Sequence, residues 1–212
     1  MKNVLKFVVL CFVMFFYSAT CAQVLIIKSG MNFATMRIKN APIEIHPEPI
    51  AGIMMMGLSV EAPVNDLISF DYGLNFFSMK GMNDSWDVWA AFDETTYIYY
   101  SLVYIDFPLS AKINHEIGAF KFYGLLGPYL SLGLNSASNV EWGSDGERDQ
   151  LNRLDYGLNI GGGIQFHRFQ LDCTYGVGLR NIASYNGDGG VSLKNRVLGL
   201  TLGFRFENIN WN

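Results

Sequence analysis

A chain of 212 residues suffices for one domain of ordinary size, and a formal net charge of −4 argues against a nucleic-acid partner. Half of the residues are hydrophobic and 15% are aromatic, while 22 glycines are scattered through apolar runs instead of being gathered in a linker. Both traits suit twisted strands bordered by aromatic girdles.

The N-terminus reads as a targeting segment. Lys2 and Lys6 supply a basic start, residues 8–17 an apolar stretch, and Thr20-Cys21-Ala22 small residues at cleavage spacing. Residues 1–22 are therefore expected to be a cleaved signal peptide and 23–212 the mature domain. A membrane anchor is the competing reading, but the run is short. Lipidation of Cys21 is another, although Ser18-Ala19-Thr20 matches a lipobox poorly. Cleavage leaves Cys173 as the sole cysteine, which rules out an intramolecular disulfide. No later segment approaches the roughly 18 consecutive apolar residues of a spanning helix.

From there the chain alternates with period two. The first strand is expected over 24–36, with Leu25, Ile27, Met31 and Phe33 on one face and Lys28, Gly30, Asn32 and Ala34 on the other. Residues 37–51 hold Pro42, Pro47 and Pro49 and read as a long loop. Strands are expected next over 52–61 and 68–76, joined by a short turn at 62–66. Met54, Met56, Leu58 and Val60 oppose Gly57, Ser59 and Glu61, and Phe70, Tyr72, Leu74 and Phe76 oppose Ser69, Asp71, Gly73 and Asn75.

A second long loop is expected over 81–94, then an aromatic strand over 95–112 that places Asp106 and Ser110 opposite Val103, Ile105, Phe107 and Leu109. A short turn at 114–118 leads to a strand over 120–135, and residues 136–154 form a third long loop. Strands over 155–166 and 170–180 flank the tight turn His167-Arg168. A fourth long loop, 181–195, precedes the last strand, 196–206. There Leu198, Leu200, Leu202, Phe204 and Phe206 oppose Gly199, Thr201, Gly203 and Arg205.

About eight strands with alternating short and long connections predict an all-β fold, an eight-stranded antiparallel up-and-down transmembrane β-barrel, with apolar faces toward lipid. Every long loop falls at one end, as for a barrel inserted into an outer membrane from the periplasm. A soluble ligand-binding barrel would instead turn its apolar faces inward, and here the inward set carries the charges.

Several segments carry a family resemblance: Ile27-Lys-Ser-Gly-Met-Asn-Phe33, Tyr104-Ile-Asp-Phe-Pro-Leu-Ser-Ala-Lys112, Tyr123-Gly-Leu-Leu-Gly-Pro-Tyr129, Asp155-Tyr-Gly-Leu-Asn-Ile-Gly-Gly-Gly163 and Tyr175-Gly-Val-Gly-Leu-Arg-Asn-Ile182. With the closing Leu198 to Phe206, they make the chain resemble the PorT-like outer-membrane β-barrel family of Gram-negative bacteria. That family usually carries Glu where Asp106 stands. The resemblance implies a fold and an outer-membrane location, and no defined activity.

The inward charges, Lys28, Glu61, Asp71, Asp106, Lys112, Lys121, Asp155, Asp172, Arg180 and Arg205, are expected to form a paired network inside a narrow lumen. A gated ion path is the alternative. His46, in Glu44-Ile-His-Pro-Glu48, is weak as a metal ligand, and His115 and His167 fall in short turns. No catalytic or cofactor-binding residue is expected. Ser101 and Ser110 lack an inward histidine at the same depth, Ser184 has none near it in its loop, and the loop acids Asp84, Asp87, Asp93 and Glu94 lack one too. Trp86, Trp89 and Trp142, in acidic loops, are candidate contacts for the bilayer interface or for a protein partner. The expected role is that of a non-enzymatic structural or interaction protein touching outer-membrane lipids. A small transport or secretion-associated pore and a barrel enzyme acting on lipids are the alternatives.

Overall fold

The computed structural model describes residues 24–40, 47–86, 96–136, 141–143, 150–183 and 191–206. The expected signal peptide, His46, Trp89 and Ser184 lie outside them. The barrel strands are β1 (Val24–Lys39), β2 (Ile50–Pro63), β3 (Ile68–Trp86), β4 (Thr96–Ile117), β5 (Phe120–Ser136), β8 (Leu154–Phe166), β9 (Phe169–Gly178) and β10 (Ser192–Phe206). Each pairs antiparallel with its neighbour in sequence, and the barrel closes where β1 meets β10. That closing ladder runs from Leu25 opposite Phe206 to Lys39 opposite Ser192. Since a barrel without an edge leaves no ladder amide facing hydrocarbon, closure is what permits the outer face to be apolar.

That face is apolar. Ile27, Phe70, Ile113, Leu126, Ile160, Leu171 and Leu202 all point outward, Leu202 with 56% of its surface exposed. A soluble domain could not keep so wide a band in water. Toward the short-turn end the outer band becomes aromatic: Phe120 stacks on Phe166 at 4.9 Å and Phe169 meets Phe204 edge-on at 5.3 Å. The short turns and the Leu25–Phe206 end of the closing ladder lie together, and the long connections lie at the opposite end with Lys39 and Ser192.

Three details depart from the sequence reading. The strand expected to stop at Phe76 continues to Trp86 as β3. Phe77 adopts φ 58°, and the β3–β4 register shifts between Asn75 and Ser78. Two successive side chains, Phe76 and Phe77, therefore stay outside, and Ser78, Lys80 and Met82 turn inward. Strand β4 likewise runs through Ile117, so His115 lies on a strand and only Gly118-Ala119 turn. The loop expected over 136–154 contains a small parallel sheet, β6 (Glu141–Trp142) with β7 (Gln150–Leu151).

Glycines on the inner face of β8 make room for two tyrosines of β5. A Cβ on Gly157 would sit 2.1 Å from the Val177 carbonyl oxygen and 2.7 Å from Tyr129 Cε1, and one on Gly163 would sit 2.5 Å from the Leu171 carbonyl oxygen and 2.6 Å from Tyr123 Cζ. Gly157→Ala is expected to cost about 1–3 kcal/mol through overpacking, read as a lower urea midpoint of the folded barrel in detergent micelles. An unchanged midpoint would show that both the Val177 backbone and the Tyr129 ring give way to the added methyl.

Candidate functional site: the sealed lumen

The lumen is filled in layers, each built by the inward phase of the strands. Nearest the short turns, Glu61 on β2, Asp71 on β3, Lys112 on β4 and Arg205 on β10 converge. Lys112 Nζ lies 2.7 Å from Asp71 and 2.9 Å from Glu61, and Arg205 lies 2.9 Å from Glu61. Lys28 on β1 reaches Asp71 at 3.1 Å and Asp172 on β9 at 3.7 Å. Asp172 also accepts hydrogen bonds from Gln170 at 2.9 Å, Thr201 at 3.2 Å and the Tyr123 hydroxyl. Lys112 is only 1% exposed, so its charge is tolerable because carboxylates and the Tyr123 ring, 4.7 Å away, surround it. In this layer three carboxylates, Glu61, Asp71 and Asp172, face three cations, Lys28, Lys112 and Arg205.

Further toward the long loops, Lys80 is the hub. Its ammonium lies 3.1 Å from Asp106 and 3.3 Å from Asp155, donates to Ser131 at 2.7 Å, and sits over the rings of Tyr129 at 4.4 Å and Tyr104 at 4.8 Å. Asp155, fully buried, also accepts from Asn195 at 2.9 Å and from the Tyr129 hydroxyl at 3.4 Å. A cavity of about 90 Å³ bordered by Lys28, Asp71, Asp106, Asp172 and Lys80 occupies the space between the two clusters.

The long-loop end is closed by apolar side chains. Met36, Met82, Leu102, Tyr104, Leu151, Ile182 and Leu193 form one buried cluster, with Trp142 packed against it. The Trp142 indole meets Tyr104 edge-on, 5.6 Å between centroids. It fits because residue 133 is glycine: a Cβ there would lie 2.6 Å from Trp142 Cη2. Backbone bonds hold this lid in place, from Asn152 to Ile182 at 2.7 Å and from Ile182 to Leu193 at 2.9 Å.

Of the charges expected in the lumen, Lys28, Glu61, Asp71, Asp106, Lys112, Asp155, Asp172 and Arg205 are brought together there. Lys121 and Arg180 are not. Lys121 pairs with the exposed Glu116 at 3.0 Å on the short-turn rim. Arg180 lies beyond the end of β9 and makes no ion pair among the described residues. Trp142, expected as an exposed contact, is instead part of the internal lid, and Trp86 ends β3. Lys80 was missed because the register shift at Phe77 reverses the phase of the strand. Two adjacent phenylalanines within an alternating run are the signal that could have revealed it. Ser110 is buried on the inner face, whereas His115 is exposed on the outer face of the same strand, so the two are not partners.

Residues 25–184 match the family described as "Outer membrane protein beta-barrel domain". The chain belongs to that family of outer-membrane β-barrels. It is similar in fold to Ail, the attachment invasion locus protein of Yersinia pestis, at 15% identity, with 87% of this chain and 99% of that one covered and a TM-score of 0.40. It is also similar to Neisserial surface protein A, at 15% identity, 86% and 97% coverage and a TM-score of 0.45. The N-terminal β-barrel domain of Pseudomonas aeruginosa OprF aligns at 13% identity, 86% and 97% coverage and a TM-score of 0.39. A comparison with curated proteins finds no match.

The hub and the rim pair should differ sharply on mutation. Lys80→Met leaves two buried carboxylates without their cation and is expected to cost about 3–5 kcal/mol. Lys121→Met removes a rim pair and is expected to cost under about 1 kcal/mol. Urea unfolding of the two variants in the same micelles measures the contrast.

Proposed function

We propose that this protein is a non-conducting, non-enzymatic barrel of the Gram-negative outer membrane, of the PorT-like kind. It acts as a structural or interaction protein, presenting its long connections at the cell exterior after removal of the signal peptide. The observation that carries this reading is the lumen: a salt-bridged layer, a second layer around Lys80 and an apolar lid follow one another along the axis. A solute would have to displace buried ion pairs to pass, and an eight-stranded barrel has little interior to spare. With its interior filled, the barrel has its outer band for lipid and its long-loop end for partners.

Two measurements test this. Purified protein in a planar bilayer is expected to give no unitary current steps up to moderate voltages, and steady large steps would replace this reading with a pore. An epitope inserted within residues 144–149 is expected to be labelled on intact cells, and one within residues 64–67 only after permeabilisation. The reverse pattern would turn the barrel over.

A further inference from the structure

The two charged layers are not equivalent. In the short-turn layer three carboxylates are matched by three cations. In the layer around Lys80, two carboxylates, Asp106 and Asp155, share one ammonium. Among the described residues no other cation reaches either of them, so one negative charge is left over. It lies under an apolar lid, where an uncompensated ion is costly.

One orphaned polar atom at the cavity points to an occupant. Asp155 Oδ1 is fully buried and has no protein hydrogen-bond partner, but Asp155 does not border the cavity. The Ser59 hydroxyl, on a residue 3% exposed, borders the cavity of about 90 Å³ and has none either. Buried oxygens are seldom left orphaned, and a polar cavity of this size has room for more than one water-sized species. Asp106 borders the same cavity, as do the side chains of Asn75 and Asn159. The lining is therefore rich in oxygen donors, one of them charged and incompletely neutralised.

We infer that the lumen cavity beneath the lid binds one small monovalent cation, of the sodium or potassium class, against Asp106 and neighbouring neutral oxygens. A multivalent ion does not suit the charge balance, because only one negative charge is left unmatched. Lys28 and Lys80 border the same space and oppose a higher charge. An anion is excluded by the sign of the imbalance. One positive charge makes the layer neutral, and hard oxygen ligands with room for retained water suit a weakly held alkali cation. The inference concerns the closed interior and holds whatever the long loops contact outside.

The protein would be refolded from urea into detergent micelles in rubidium chloride, crystallised, and measured at the rubidium absorption edge. One anomalous peak is expected in the cavity beside the Asp106 carboxylate, and none in Asp106→Asn crystals grown alike. In parallel, the urea midpoint of the wild type is expected to be higher in potassium chloride than in N-methyl-D-glucamine chloride of equal ionic strength. That difference should disappear in Asp106→Asn. Wild-type crystals without a peak in the cavity would overturn the site, leaving a bound proton or water alone to fill it. So would a wild-type midpoint indifferent to the cation. Should Asp106→Asn fail to fold, both wild-type measurements still decide the question.

Discussion

Every feature of this barrel follows from the need to pair backbone amides where no water can reach them. In hydrocarbon an unpaired N–H or C=O costs several kcal/mol, so a sheet must close on itself. Here it closes when β1 meets β10 over nearly the whole length of both strands. Closure at eight strands fixes the width of the interior, and that width is the second constraint. It is too narrow for a water column and too wide to leave empty, so long side chains must fill it. Lys112, Arg205, Tyr104, Tyr123 and Tyr129 do so, with glycines on β8 cut away to admit the rings of Tyr123 and Tyr129. Once ionised groups are used as filler in a space without bulk water, they must be paired, and the layered salt bridges are the result.

The alternation of faces was readable because its physical cause is local. A strand's side chains alternate whatever its neighbours do, so Ile27 and Lys28, or Leu200 and Thr201, declare opposite environments without any tertiary knowledge. An even number of strands with alternating short and long connections then pointed to closure and its polarity. What escaped was non-local or hidden by a phase change. Lys80 lies past a bulge, and period-two reading from Ser69 to Asn75 assigns it to the wrong face or to a loop. Lys121 has the correct phase but sits at the rim, where facing inward no longer means being enclosed. Trp142 sits in a stretch with the composition of a solvated loop, and its burial depends on Gly133, on the facing wall of the barrel. Alternation tells which way a residue points, and says nothing about how deep it lies.

The buried charges raise a further question, since an apolar filling of equal volume would often be as stable. Their value lies in what they forbid. A strand apolar on both faces can slip by one residue at little cost, because either face suits lipid and either suits a dry interior. A strand with Asp71, Lys112 or Arg205 on one face cannot. Slipping β3 or β4 by one residue carries an ionised group from its partners into the acyl chains, at about 2–4 kcal/mol for a lysine or arginine near the bilayer midplane. The partner left behind loses its pair as well. Each ionic contact spans two or more strands, as Lys112 does with Glu61 and Asp71 and Lys80 with Asp106 and Asp155, so slipping any one strand breaks contacts to several others. The bulge at Phe77 fits the same logic. It is tolerated because the shift it introduces delivers Lys80 to two waiting carboxylates, and a strand without the bulge would deliver that lysine to lipid.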